Sequence, residues 1–223
     1  MIEHERPTPA GLIEPWLESR GAEVETLRID EEDPHDLDPR DYGMIVSLGS
    51  EFGAYEDSIE WIAHEMDLFR DAMDADVPIL GVCFGGQLLA RTLGGEVFRS
   101  EIEEIGWLPV GTRDPGLVPD VPWFQWHFDS FTAPPGAKVV AENHAGPQAY
   151  TIGRSLGLQF HPEVTTEIMD RWVDVYRHEL DEHGVDPDAL LEETHRLAEP
   201  SREASRKLLD AFLDRVARPR EPA

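Results

Sequence analysis

The chain has 223 residues, 40% of them hydrophobic and 29% charged, which is long and apolar enough for one α/β unit with a sizeable core and unlike a disordered chain. Its formal net charge of −27, from 46 acids against 19 Lys and Arg, argues against a nucleic-acid partner, because phosphate backbones are held by clustered cations. No run approaches the roughly 20 apolar residues of a membrane span, and the acidic start Met1-Ile-Glu-His-Glu-Arg6 lacks the basic-then-apolar plan of a secretion signal, so a cytoplasmic location with no membrane partner is expected.

The first elements are a helix over residues 10–20, striped by Leu12, Ile13, Trp16 and Leu17 and stopped at Gly21, then a strand over Ala22–Ile29 and an acidic loop over Asp30–Asp41. Tyr42–Leu48, a continuous apolar run ending at Gly49, reads as a buried parallel strand feeding a turn. Ile59, Ile62, Met66, Phe69 and Met73 recur at steps of three and four with acids between them, which predicts an amphipathic helix. A second buried strand follows at Pro78–Val82; Cys83 ends it, and Gly85-Gly86 opens onto a helix over Gln87–Leu93. This alternation predicts a parallel sheet covered on both faces. Residues 96–160 carry short apolar runs between Gly and Pro turns, so mainly β structure is expected. From Thr165 the pattern is helical again, with Asp186-Pro187 placed as N-cap and first helical residue and Ala204, Leu208, Phe212 and Val216 as a last stripe.

Chemistry concentrates in two segments. Cys83 is the only cysteine, so an internal disulfide or a multi-thiolate metal site is excluded; it is either a packed small hydrophobe or a reactive thiol. Gly81-Val-Cys-Phe-Gly-Gly-Gln87 favours the thiol: a nucleophile between a buried strand and a helix sits on a strained turn, and the helix N-terminus favours its anionic form. The second segment is Leu158-Gln-Phe-His-Pro-Glu163. Pro162 biases His161 toward extended geometry, where side chains two apart point the same way. Glu163 can then orient the His161 imidazole while that ring takes the thiol proton. The nine histidines show no His-Glu-x-x-His spacing, so a metal hydrolase is not expected and no metal ligand is assigned; no cofactor is expected either.

Together these segments resemble the class I glutamine amidotransferase family, from about Tyr42 to Glu163, and the Cys83–His161 spacing also fits. Gln125-Trp-His-Phe-Asp129, Pro134-Pro-Gly-Ala137 and Gln148-Ala149 are similar to the branch containing the amidotransferase half of GMP synthase. The resemblance implies an α/β fold of flavodoxin-like kind: a central, mostly parallel sheet flanked by helices, a nucleophile elbow, a small β subsheet and a helical C-terminus, in one domain over 1–223 with a helical extension over 165–223. It implies Cys83, His161 and Glu163 as a catalytic triad, backbone N–H groups of Gly49 and Phe84 as an oxyanion hole, and Gln87 with the main chain around His127–Asp129 holding glutamine. The His127 side chain itself, between aromatic neighbours, reads as structural rather than catalytic. Trp123 and Trp126 read as packing residues, and His144 and the remaining histidines as surface residues. The chain departs from the family in Ser47-Leu48-Gly49-Ser50, where a paired glycine followed by proline is usual, and in a first strand cut to about Met1–Glu5. No synthetase domain is expected after the helices.

The function expected is hydrolysis of the glutamine side-chain amide through a cysteinyl thioester, with ammonia supplied to a synthetase or ligase partner. Two other readings remain: a γ-glutamyl peptidase or hydrolase using the same triad, and a silent interaction protein that keeps the fold.

Overall fold

The computed structural model describes residues 1–29, 31–34 and 37–218; the parts of the acidic loop and of the C-terminal extension at 30, 35–36 and 219–223 lie outside the described residues. In chain order the elements are β1 (Ile2–Glu3), α1 (Ile13–Ser19), β2 (Leu27–Arg28), β3 (Ile45–Ser47), α2 (Glu60–Asp74), β4 (Ile79–Val82), α3 (Phe84–Thr92), β5 (Val97–Pro109), β6 (Gly111–Thr112), β7 (Pro122–Phe131), β8 (Lys138–Asn143), β9 (Gly146–Ile152), β10 (Ser155–Leu158), α4 (Thr166–Val175), α5 (Arg177–His183) and α6 (Pro187–Arg215). The main sheet runs β2-β1-β3-β4-β10-β9-β8-β6, and β5 pairs with β7 in a separate ribbon. β2, β1, β3, β4 and β10 run parallel to one another, whereas β9, β8 and β6 add on antiparallel beyond β10.

Two apolar layers sandwich this sheet because successive strand residues face opposite sides. Val46, Leu80, Val82 and Leu158 pack with Ile13 and Trp16 of α1 and with Leu208, Leu209 and Phe212 of α6. Ile45 and Ile79 instead join Ile62 and Phe69 of α2 and Leu88 and Leu89 of α3. A third cluster ties the ribbon to the C-terminal helices through Trp107, Phe124 and Trp126 against Met169, Trp172 and Leu180. Asp186 caps α6 by accepting from the Asp188 N–H at 3.0 Å, with Pro187 at the first helical position, as its residue types predict.

Several sequence expectations need correction. The strand expected over Ala22–Ile29 shrinks to Leu27–Arg28, at the sheet edge, where only Leu27 is buried; one buried side chain leaves the preceding residues nothing to gain from the ladder. The run Tyr42–Leu48 forms a strand only at Ile45–Ser47. α3 begins at Phe84, so Gly85 and Gly86 are helical rather than a turn before the helix. On α2, Glu65 is fully buried on the apolar face, although its charge places it among solvated acids. His4 is likewise buried, at 5% exposure, and is no surface histidine.

Candidate active site

Cys83 stands between β4 and α3 with φ 52° and ψ −109°, a backbone region that costs a residue bearing a β-carbon about 1–3 kcal/mol. Its N–H donates to the Leu158 carbonyl at 2.9 Å, and the Gly85 N–H donates to the Leu48 carbonyl at 3.1 Å. These bonds press the first turn of α3 against β3 and β10. A β-carbon on Gly85 would lie 2.4 Å from the Ser47 carbonyl oxygen, and one on Gly86 2.3 Å from that of Leu158. Glycine is required here for close approach, not for left-handed torsions, since neither residue has positive φ. Because the positive-φ strain is specific to residues with a β-carbon, Cys83→Gly is expected to unfold at a higher temperature than Cys83→Ala, by about 1 kcal/mol of stability; matched thermal scans of the two variants read this directly.

β10 delivers the second segment. The His161 N–H donates to the Phe124 carbonyl at 2.9 Å, and the imidazole meets Trp172 edge-on with centroids 5.0 Å apart. Nδ1 of His161 bonds Oε1 of Glu163 at 2.7 Å, with both side chains buried. Among the described residues, Nε2 of His161 and Oε2 of Glu163 are buried without hydrogen-bond partners. Burial alone lowers the imidazole pKa, but attraction to Glu163 and to Cys83 outweighs it and raises the value from 6.5 to about 10. Nε2 is thus the ring nitrogen that Glu163 leaves without a partner. Gly49 lies against both groups: a β-carbon there would sit 3.3 Å from His161 Cε1 and 3.9 Å from Cys83 Cβ.

Cys83, at 7% exposure, opens onto a cleft of about 200 Å³, which Gly49, Phe84, Gln87, His127, Asp129 and His161 help to line. The fold therefore brings seven of the eight sequence-derived site residues to one cavity. Glu163, the eighth, sits behind the imidazole. Gln87 spends its amide N–H groups on the Asp129 carbonyl and on Oε1 of Gln159, each at 3.2 Å, so it braces β7. The His127 ring bridges the Asp129 carbonyl at 3.0 Å and Oε2 of Glu104 at 3.1 Å. Asn143 and Gln148 also donate to Glu104. Trp123 stacks on Phe160 at 4.6 Å, a packing role; Trp126 packs against Trp172 but also lines the cleft.

Sequence reasoning did not find Gln159, whose Nε2 lies 3.9 Å from Cys83 Sγ, nor Arg99 and Tyr55 on the cleft wall. The Tyr55 hydroxyl donates to Oδ1 of Asp129 at 3.3 Å, and burial raises the pKa of that carboxyl despite Arg99 nearby. Gln159 was accessible, since it lies two residues before His161 and so shares its side of an extended segment. Arg99 and Tyr55 carry no local signal.

Residues 12–173 match the family described as glutamine amidotransferase class-I. The chain belongs to this family. Among curated relatives, the chain is 38% identical over 151 residues to the glutamine-hydrolyzing GMP synthase of Aeropyrum pernix, covering 60% of this chain and 28% of that protein. It is 31% identical over 138 residues to one subunit of the glutamine-hydrolyzing GMP synthase of Sulfurisphaera tokodaii, covering 56% of this chain and 69% of that one. The chain spans less than a third of the length of the GMP synthases it matches first. Among solved structures, a glutamine amidotransferase of Thermotoga maritima superposes with a TM-score of 0.87 at 31% identity over 96% of both chains. One from Methylobacillus flagellatus gives 0.89 at 25% identity, over 100% of this chain and 95% of that one. Among the described residues no helix is long and apolar enough to cross a membrane.

Proposed function

We propose that this amidotransferase hydrolyses the side-chain amide of glutamine with Cys83, His161 and Glu163, and that a separate synthetase or ligase partner takes up the ammonia. The observation that carries the reading is a buried imidazole held by Glu163 through Nδ1 at 2.7 Å, with its other nitrogen unpartnered beside a cysteine on a strained strand-to-helix turn. In the acylation step the Cys83 thiolate attacks the amide carbon, and the carbonyl oxygen takes up the negative charge. The N–H groups of Gly49 and Phe84 receive that charge; each such donor contributes about 3–4 kcal/mol in comparable sites. As the tetrahedral species collapses, the C–N bond breaks and the His161 imidazolium gives its proton to the departing nitrogen, leaving a glutamyl thioester and ammonia. His161 then takes a proton from water, whose oxygen attacks the thioester; glutamate leaves and the thiolate returns. The main chain at His127–Asp129 and the Gln87 side chain flank the space for the amino-acid end of the substrate.

Incubating the protein with glutamine and with γ-glutamyl amides, and measuring ammonia against released amine, tests the leaving group. Preferred release of an amine would transfer the same triad to a γ-glutamyl hydrolase. The partner is tested by mixing with a candidate synthetase and asking whether glutamine then replaces free ammonia as nitrogen source.

Glu163→Gln isolates the carboxylate. We expect kcat to fall roughly 10³-fold or more with KM nearly unchanged, since Glu163 is not among the residues lining the cleft. Glu163 raises the imidazole pKa, so its loss moves the alkaline limb of the rate profile to lower pH. The same linkage affects stability. A group whose pKa is raised on folding stabilises fully below its unfolded value and loses that contribution as pH climbs through the folded one. Wild-type urea midpoints should therefore fall more than those of Glu163→Gln between pH 6.5 and about 10.

A further inference from the structure

We infer that His4 is a positioning residue for the oxyanion-binding backbone, an inference that rests on the glutaminase reading above. The His4 side chain, which follows β1, has no exposed surface and lies between three elements. Its Nδ1 meets the Gly49 carbonyl at 3.1 Å and its Nε2 meets Oε2 of Glu65, on α2, at 2.8 Å. The Ser47 hydroxyl donates to the other Glu65 oxygen at 2.6 Å. The His4 ring also packs edge-on against Phe84, centroids 4.7 Å apart. One imidazole thus contacts both residues whose N–H groups are assigned to the developing charge.

The direction of these bonds follows from the partners. A carbonyl oxygen only accepts, so His4 Nδ1 carries the proton and donates to Gly49. One further proton lies between Nε2 and Glu65, on either atom, and the Glu65 carboxyl is thereby held from both sides. The consequence concerns torsions. Glycine is free in φ and ψ, and Ser50 after it imposes none of the restriction that proline would. Here the peptide before the Gly49 α-carbon is pinned by the Leu48 carbonyl accepting from the Gly85 N–H at 3.1 Å, and the peptide after it by His4. With both planes held, the two soft torsions of Gly49 are set, so its N–H keeps one direction relative to Cys83. A buried histidine and a buried glutamate are costly unless satisfied, and this pair is satisfied by each other, by the Gly49 carbonyl and by the Ser47 hydroxyl.

Two substitutions separate the contacts. Asn places its amide near the position of Nδ1 and so keeps the Gly49 bond, whereas Gln reaches the position of Nε2 and keeps only Glu65. With glutamine as substrate, His4→Gln should lose about tenfold to a hundredfold in kcat with KM within about threefold of wild type. His4→Asn should retain kcat within a few-fold, although both variants melt lower. Equal losses of kcat in the two, or wild-type kcat in folded His4→Gln, would overturn the inference. A third measurement needs no variant: in ¹⁵N-histidine NMR of the wild-type protein, His4 Nδ1 should be protonated with a slowly exchanging hydrogen, and an unprotonated Nδ1 defeats the clamp. Wild-type ammonia release and covalent labelling at Cys83 test the glutaminase reading alone, so its failure is distinguishable from failure of the clamp.

Discussion

Cys83→Ala is expected to release no ammonia from glutamine above background, a loss of roughly 10⁴-fold or more, while remaining folded. The size follows from the proposed triad acting as a unit: removing a nucleophile alone forfeits nearly all that three such groups achieve together, because base and orienting carboxylate then have no thiol to act on. The fold should survive because the side chain is small and already sits at the cleft floor, where losing one sulfur opens no sealed void. Two readouts are needed. The first is steady-state ammonia formation. The second is mass spectrometry after treatment with a diazo-ketone glutamine analogue, which should add one adduct at Cys83 in wild type and none in the variant. A well-folded wild-type protein that takes no label at Cys83 sinks the triad. A silent protein that merely keeps the fold would behave in that way, so the labelling result also decides between enzyme and interaction protein.

The second large effect is structural. Gly86→Ala should unfold the elbow, costing about 3 kcal/mol and lowering the melting temperature by roughly 6–12 °C for a chain of this size. The new β-carbon would lie 2.3 Å from the Leu158 carbonyl oxygen. That oxygen belongs to a central strand and accepts the Cys83 N–H at 2.9 Å, so it cannot swing aside as a flexible side chain would. Moving it drags β10 and breaks the bond that sets the Cys83 backbone. Activity should therefore fall even in the fraction that still folds. Gly136→Ala is a useful control. A β-carbon there meets nothing within 4 Å, though its φ of 84° still strains any larger residue. Its cost should stay near about 1 kcal/mol, with kcat per folded molecule unchanged. Comparable losses of kcat in the two variants would show that the close approach at Gly86 is not what shapes the elbow.

Much of this was legible in the chain itself. Continuous apolar runs at Tyr42–Leu48 and Pro78–Val82, with a helical stripe between them, carry the parallel-sheet pattern, because strands buried on both faces need apolar side chains at every position. Cys83 before paired glycines and His161-Pro-Glu163 carry the candidate chemistry for the same reason: each depends on neighbours in sequence, through a strand-to-helix turn in one case and an extended dipeptide in the other. Local rules also place Asp186-Pro187 at the start of α6.

What the tertiary structure alone decided is everything that depends on long-range partners. Hydropathy assigns Glu65 to solvent and His4 to the surface, yet the two bury each other at 2.8 Å across 61 residues of chain; a charged group enters a core only when a partner from elsewhere satisfies it, and sequence patterns do not record that partner. The length of β2 was likewise set by what lies beside it, not by the run Ala22–Ile29 itself. Arg99 and Tyr55 reach the cleft only because the β5–β7 ribbon and the loop before α2 fold over the elbow, a juxtaposition with no local signature. The amino-acid order determined which residues can do chemistry; the packing of α2, β1 and β7 around one strand end decided which of them can do it together, since hydrogen-bond geometry is satisfied in three dimensions and not along the chain.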